Sequence, residues 1–119
     1  MKADATLHPE LTLARWAQQN LTPEDRASAT VYTSGEHCAM CAAAHAYVGL
    51  GRIVYITSTN QYKSWMEEAN ITQGAVAGLP INTVAPHIPV EGPIPGLDLE
   101  VHALHRERWQ RKGLGSVSS

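Results

Sequence analysis

Apolar and polar positions along this chain repeat with two periods, and the switches between them mark its elements. From His8 to about Asn20, Leu13, Ala14, Ala17 and then Leu21 recur at three- and four-residue steps, which predicts a helix with one apolar stripe. Pro9 suits its first turn, where a missing N–H costs nothing. Thr22-Pro-Glu-Asp predicts a turn or short helical start. Ala29 to Ser34 is short and β-rich and is followed by Gly35, so it predicts a strand. Cys38 to about Leu50 is alanine-rich and predicts a helix, closed by Gly49 and Gly51. Arg52 to Thr57 is the clearest strand pattern in the chain, Gln61 to Ala69 predicts a short helix, and Ile81 to Ala85 a weaker strand. Residues 86–97 carry Pro86, Pro89, Pro93 and Pro95 with Gly92 and Gly96, and predict an extended surface loop. Leu97 to about Lys112 predicts a closing helix. The alternation of helix and strand predicts one α/β layered domain over residues 1–112, its sheet at least partly parallel, with a flexible tail at 113–119.

Composition narrows the function classes. The chain has 119 residues, 44% of them hydrophobic and 17% charged, as expected of one globular domain. A net charge of -2 argues against a surface built broadly for phosphate backbones. No apolar run approaches the roughly 18–20 residues of a membrane span. The start, MKADATLHPE, lacks the apolar centre of a signal peptide, so a reducing cytoplasmic setting is expected. There, two cysteines read as a metal or catalytic pair before a disulfide.

Those cysteines stand as Cys38-Ala-Met-Cys41, directly after a strand and a glycine. At i and i+3 on one helical turn, both sulfurs can reach one ion, and unpaired N–H groups at a helix start favour thiolates. A catalytic zinc takes three protein ligands and keeps a fourth position open. The third ligand must come from elsewhere, and His8, which opens a separate helix, is the natural candidate. Two helix N-termini would then converge on the metal. Glu10, two residues beyond His8, is placed to take a proton from the attacking water and to return protons to a ring nitrogen and a leaving amine.

DATLHPEL, followed about thirty positions later by TSGEHCAMCAAAH, resembles the cytidine deaminase-like superfamily, marked by H-x-E and P-C-x-x-C. The run ATVYTSGEHCAMCAAAHAYVGLGRIVYITS is similar to the branch holding bacterial guanine deaminases and tRNA adenosine deaminases. The resemblance extends from about Asp4 to Ser58. It implies a three-layer α/β/α sheet fold, with His8, Cys38 and Cys41 as zinc ligands and Glu10 as general acid/base. The chain departs from the pattern in three ways. His37 replaces the proline before the first cysteine, and Pro9 fills the middle of H-x-E. Only seven residues precede His8, where the family places a helix and two strands. An N-terminally truncated sheet would have an open edge near Tyr32, which together with the family habit points to a homodimer.

Other candidates carry two readings each. Glu36 is a substrate-pocket residue or a loop carboxylate, and His37 serves the substrate or satisfies its loop. Trp65 and Trp109 stack on a flat heterocycle or pack in the core, and packing is favoured. His45 faces the site or is a satisfied core histidine, the second being favoured, and Tyr47 and Val48 read as core. The run His102, His105, Arg106, Arg108, Arg111, Lys112 could attract RNA, yet cations near a helix C-terminus also complement its dipole. The expected function is zinc-dependent hydrolytic deamination of a nucleobase or nucleoside, with a guanine-like purine preferred and tRNA as the less favoured substrate. Two alternatives stand beside it: a non-catalytic zinc module that needs a partner, and a thiol redox protein.

Overall fold

In the computed structural model, residues 6, 8–72 and 74–113 are described. The predicted tail beyond Gly113 lies outside them. The chain runs α1 (Pro9–Asn20), α2 (Pro23–Ser28), β1 (Val31–Gly35), α3 (Ala39–Tyr47), β2 (Ile53–Thr57), α4 (Thr59–Glu68), α5 (Ile81–Val84), β3 (Val90–Glu91) and α6 (Leu97–Arg111). The sheet has the order β1-β2-β3 and both pairings are parallel, so this is an α/β domain with a three-stranded parallel sheet.

Register decides which side chains share a face. Val31 stands opposite Ile53 and Thr33 opposite Tyr55, so these four point the same way. Val31 packs with Ala14, Ala17 and Leu50, while Ile53 and Tyr55 pack with Ala42, Ile81, Ala85 and Ile88. Alanines at these contacts let α1 and α3 lie close to each other beside the sheet. The alternate residue of β1, Tyr32, is 77% exposed, and among the described residues β1 pairs with β2 alone. The strand therefore presents one unpaired edge, as the sequence leads one to expect near Tyr32.

Several sequence-based expectations need correction. Ile81 to Ala85 is not a strand. Pro80 presets the backbone ahead of a single helical turn, and the Ile81 N–H donates to the Glu36 carboxylate rather than to a ladder. The third strand lies instead inside the proline-rich segment, at Val90–Glu91. Pro89 can accept but not donate, and its carbonyl receives the Ile53 N–H at 2.9 Å, so a proline beside an edge strand is tolerated. Gly92, at φ +150, continues this path where an added Cβ would collide with the carbonyl and ring of Tyr55. Leu13 is exposed, because the stripe of α1 narrows to Ala14 and Ala17. Tyr47 is not core but 90% exposed. Cys41, Ala42 and His45 face inward on α3, and Tyr47 follows His45 by about 200° of helical rotation. Among the described residues no helix is long and apolar enough to cross a membrane.

Candidate metal centre

His8 is the N-cap of α1 and Cys38 the N-cap of α3, both in extended conformation, and neither side chain caps its own helix. Each is therefore free to turn outward from a helix start. The His8 Nδ1 lies 3.5 Å from the Cys41 Sγ and 3.6 Å from the Cys38 Sγ. All three donor atoms fall within 4.8 Å of one another. A tetrahedral zinc with nitrogen at about 2.0–2.1 Å and sulfur at about 2.3 Å would set neighbouring donors about 3.5–3.8 Å apart. The donor set and its two nitrogen–sulfur distances thus fit zinc, with three protein ligands. His37 is not a member of this group.

The thiols are free, Cys41 fully buried and Cys38 partly exposed. Burial pushes the Cys41 thiol up to about 12, aided by Cys38 and Glu10 and opposed by the backbone N–H of Leu11 in the first turn of α1. A buried thiol beside another sulfur and a carboxylate resists ionisation unless a cation joins them.

Glu10 sits one residue inside α1, and its Oε1 accepts a hydrogen bond of 3.0 Å from the Thr33 hydroxyl on β1. Thr33 also lies 3.0 Å from the Gly35 carbonyl, an alternative acceptor for its single proton. Sequence reasoning missed Thr33. The signal was the two-residue period of β1, which puts Thr33 on the same face as buried Val31.

A cavity of about 540 Å³ opens beside Cys38 at the C-terminal ends of β1 and β2, where Gly35 and Thr57 contribute to its floor. Parallel sheets commonly bind ligands beyond the carboxyl ends of their strands. Tyr62 and Lys63 of α4, residues from the segment Ile71–Leu79, and His105, Arg108 and Trp109 of α6 complete the wall. Trp109 is thus both packed, at 3% exposure, and part of the cavity. Trp65 is buried but not among the lining residues; its ring stacks on His102 at 4.1 Å. His105 stacks on Trp109 and tilts against Tyr62. Two of the six basic residues noted on the last helix therefore turn inward to join it to α4. Burial, with Arg108 adding to it, holds the His105 imidazole below its ordinary range.

Glu36 lines the cavity, yet both of its oxygens are engaged. Oε1 accepts from the Thr59 N–H at 2.7 Å and Oε2 from the Ile81 N–H at 2.6 Å. The carboxylate braces the starts of α4 and α5 against the end of β1. Glu36→Ala should cost about 2–4 kcal/mol of stability, since two donors lose a charged acceptor and Ile81 is fully buried. Urea unfolding of the zinc-loaded protein measures this; an unchanged midpoint would leave Glu36 with no bracing role.

His37 is 2% exposed, lies outside the cavity wall and meets His45 edge to face at 5.5 Å. Its Nδ1 has no hydrogen-bond partner among the described residues. Burial, then His45, push its imidazole down to about 4, against an upward pull from Glu10. His45 donates from Nε2 to the Gly51 carbonyl at 2.7 Å and is a satisfied core histidine, as expected.

No protein-family model matches this chain, and no curated protein matches it either.

Proposed function

We propose that this chain is a zinc-dependent hydrolytic deaminase of the cytidine deaminase-like kind, acting on an amino-bearing nucleobase or nucleoside. A guanine-like purine is the preferred substrate and tRNA the less favoured one. The observation that carries this reading is the convergence of His8, Cys38 and Cys41, with Glu10 held on Thr33 and a cavity opening beside Cys38. The reading implies the three-layer α/β/α arrangement of that superfamily, and the free edge of β1 fits a partner chain such as a second copy.

His8, Cys38 and Cys41 would hold the metal. Zinc, when bound with an open position, supplies a Lewis acid that lowers the pKa of water to about 7. Glu10 accepts the proton of the attacking water and passes protons to the ring nitrogen and to the departing amine, so ammonia leaves and a carbonyl remains. Thr33 fixes the carboxylate for both transfers. The cavity walls exclude bulk water and orient the ring.

A closed, purely structural zinc would need a fourth protein ligand. His37, the nearest candidate in sequence, is packed on His45 instead, which favours the open, catalytic site. The test is ammonia release by the zinc-loaded chain. Its panel holds guanine, adenine and cytosine, each also as nucleoside and 5′-monophosphate, and a tRNA anticodon stem-loop. Release from one base series, lost on chelation, is expected. Silence across the panel with zinc bound would overturn the reading in favour of a non-catalytic module.

A further inference from the structure

We infer that the cavity beside Cys38 is built for an anionic substrate, a nucleoside carrying a 5′-phosphate, which Lys63 and Arg108 select. The inference rests on the deaminase reading of the same site and adds its substrate class.

The first observation is charge. Lys63, Arg108 and the partly buried His105 line the cavity, and the only carboxylate among its described lining residues is Glu36. Both oxygens of Glu36 are already committed to backbone N–H groups, so it points no free acceptor at the two cations. Among the described residues Lys63 reaches only the Gly78 carbonyl, at 3.5 Å, the long limit of a hydrogen bond. Neither Lys63 nor Arg108 is paired with an acid among the described residues. Two uncompensated cations facing one concavity raise the local concentration of anions.

The second observation is placement. Ser58, the N-cap of α4, stands at the end of β2 beside the floor of the cavity. Lys63 follows it by five residues, about 7.5 Å along the helix axis. Arg108 comes from α6, which is tied to α4 by the Gln61 to Asp98 hydrogen bond of 2.8 Å and by the Tyr62–His105–Trp109 ring contacts. Lys63 and Arg108 therefore enter the cavity from its helix walls rather than from the strand ends, on the elements that also carry Tyr62 and Trp109. A base at the floor would direct its ribose along Tyr62 and its phosphate between Lys63 and Arg108.

The third observation is size. Pockets of about 300–1,000 Å³ hold ligands of drug size. At about 540 Å³, this one has room beyond a bare heterocycle. The acidic net charge of the chain favours a single nucleotide over a nucleic-acid strand.

The test is equilibrium binding by calorimetry to the zinc-loaded Glu10→Gln protein, which holds a ligand without consuming it. Guanosine, adenosine and cytidine are compared with their 5′-monophosphates. For the base that binds best, the monophosphate should bind about tenfold more tightly than the nucleoside, as two charge-assisted contacts require. In Lys63→Met/Arg108→Met that advantage should vanish while nucleoside affinity changes little. Arg108 is exposed, so the single Arg108→Met variant folds even if the double one does not, and it should lose part of the advantage. Lys63→Arg should keep it. Equal binding of nucleoside and monophosphate, or an advantage untouched by the substitutions, overturns the inference. So does a single-stranded RNA hexamer that binds more tightly than the monophosphate. Failure of deamination itself shows separately, as absent ammonia release by the wild-type chain, and leaves these binding ratios readable.

Discussion

Stripping zinc from the folded chain should lower its thermal midpoint by about 10–20 °C. The estimate starts from mass action: metal present at about a thousand times its Kd contributes about 4 kcal/mol. A domain of this size shifts by a few degrees for each kcal/mol. The structure explains why the loss should be this large. The three donors come from the starts of α1 and α3, whose mutual packing relies on small side chains such as Ala14 and Ala17. Without a cation, α1 loses its tie to Cys38 and Cys41, and the buried Cys41 thiol stays protonated beside Glu10. Cys41→Ser and His8→Ala should each reproduce the loss without chelator, with metal content falling below one per chain by elemental analysis. The pH dependence has a definite sign. In the metal-free protein the Cys41 thiol is pushed up to about 12, so at neutral pH zinc must displace its proton. Affinity should therefore rise with pH, about tenfold per unit for each proton displaced. Competition with a calibrated chelator at several pH values measures it. A midpoint indifferent to chelation would remove the metal from the site.

The parts of this site that the sequence shows are those set by local chemistry. Pro9 and the gap of two between His8 and Glu10 mark the start of one helix, and the i,i+3 spacing of Cys38 and Cys41 marks the start of another. The strand signals of β1 and β2 come from β-branched and aromatic runs, which register then places side by side. The misread parts depend on long-range partners. Ile81 looks like a strand residue, yet its N–H is claimed by Glu36, forty-five positions earlier, and a helical turn results. Val90 and Glu91 lie among prolines that argue for a loop, but the edge of β2 needed a partner and found one there. The cavity is the least legible feature. Its floor comes from strand ends and its walls from α4, α6 and the segment between α4 and α5, so no local pattern announces it. Lys63 carries no sequence signal of its own, and Arg108 reads as one of several cations complementing a helix dipole.

Glu10→Gln should leave zinc content and fold intact and reduce turnover by about 10²–10⁴-fold, the usual contribution of a positioned general acid/base. The amide keeps the size of the side chain and can still accept the Thr33 hydroxyl, so the geometry of α1 against β1 survives. It cannot take up a proton from water and release it to the departing amine. The loss should therefore fall on kcat, with KM nearly unchanged, because Glu10 acts on the reacting atoms rather than on the base as a whole. Thr33→Val provides the contrast. It removes one hydrogen bond to a charged group, worth about 1.5–3 kcal/mol, so activity should fall about ten- to a hundredfold at most. The loss should again fall on kcat, with zinc content unchanged. A merely structural Thr33 would lower stability while leaving kcat unchanged. The pair of variants thus separates the group that carries the proton from the group that orients it. Glu10→Gln retaining wild-type turnover, with zinc bound and the fold unchanged, would take the proton relay away from Glu10. Glu36, the carboxylate that lines the cavity, could not inherit it, since both of its oxygens are held by backbone N–H groups.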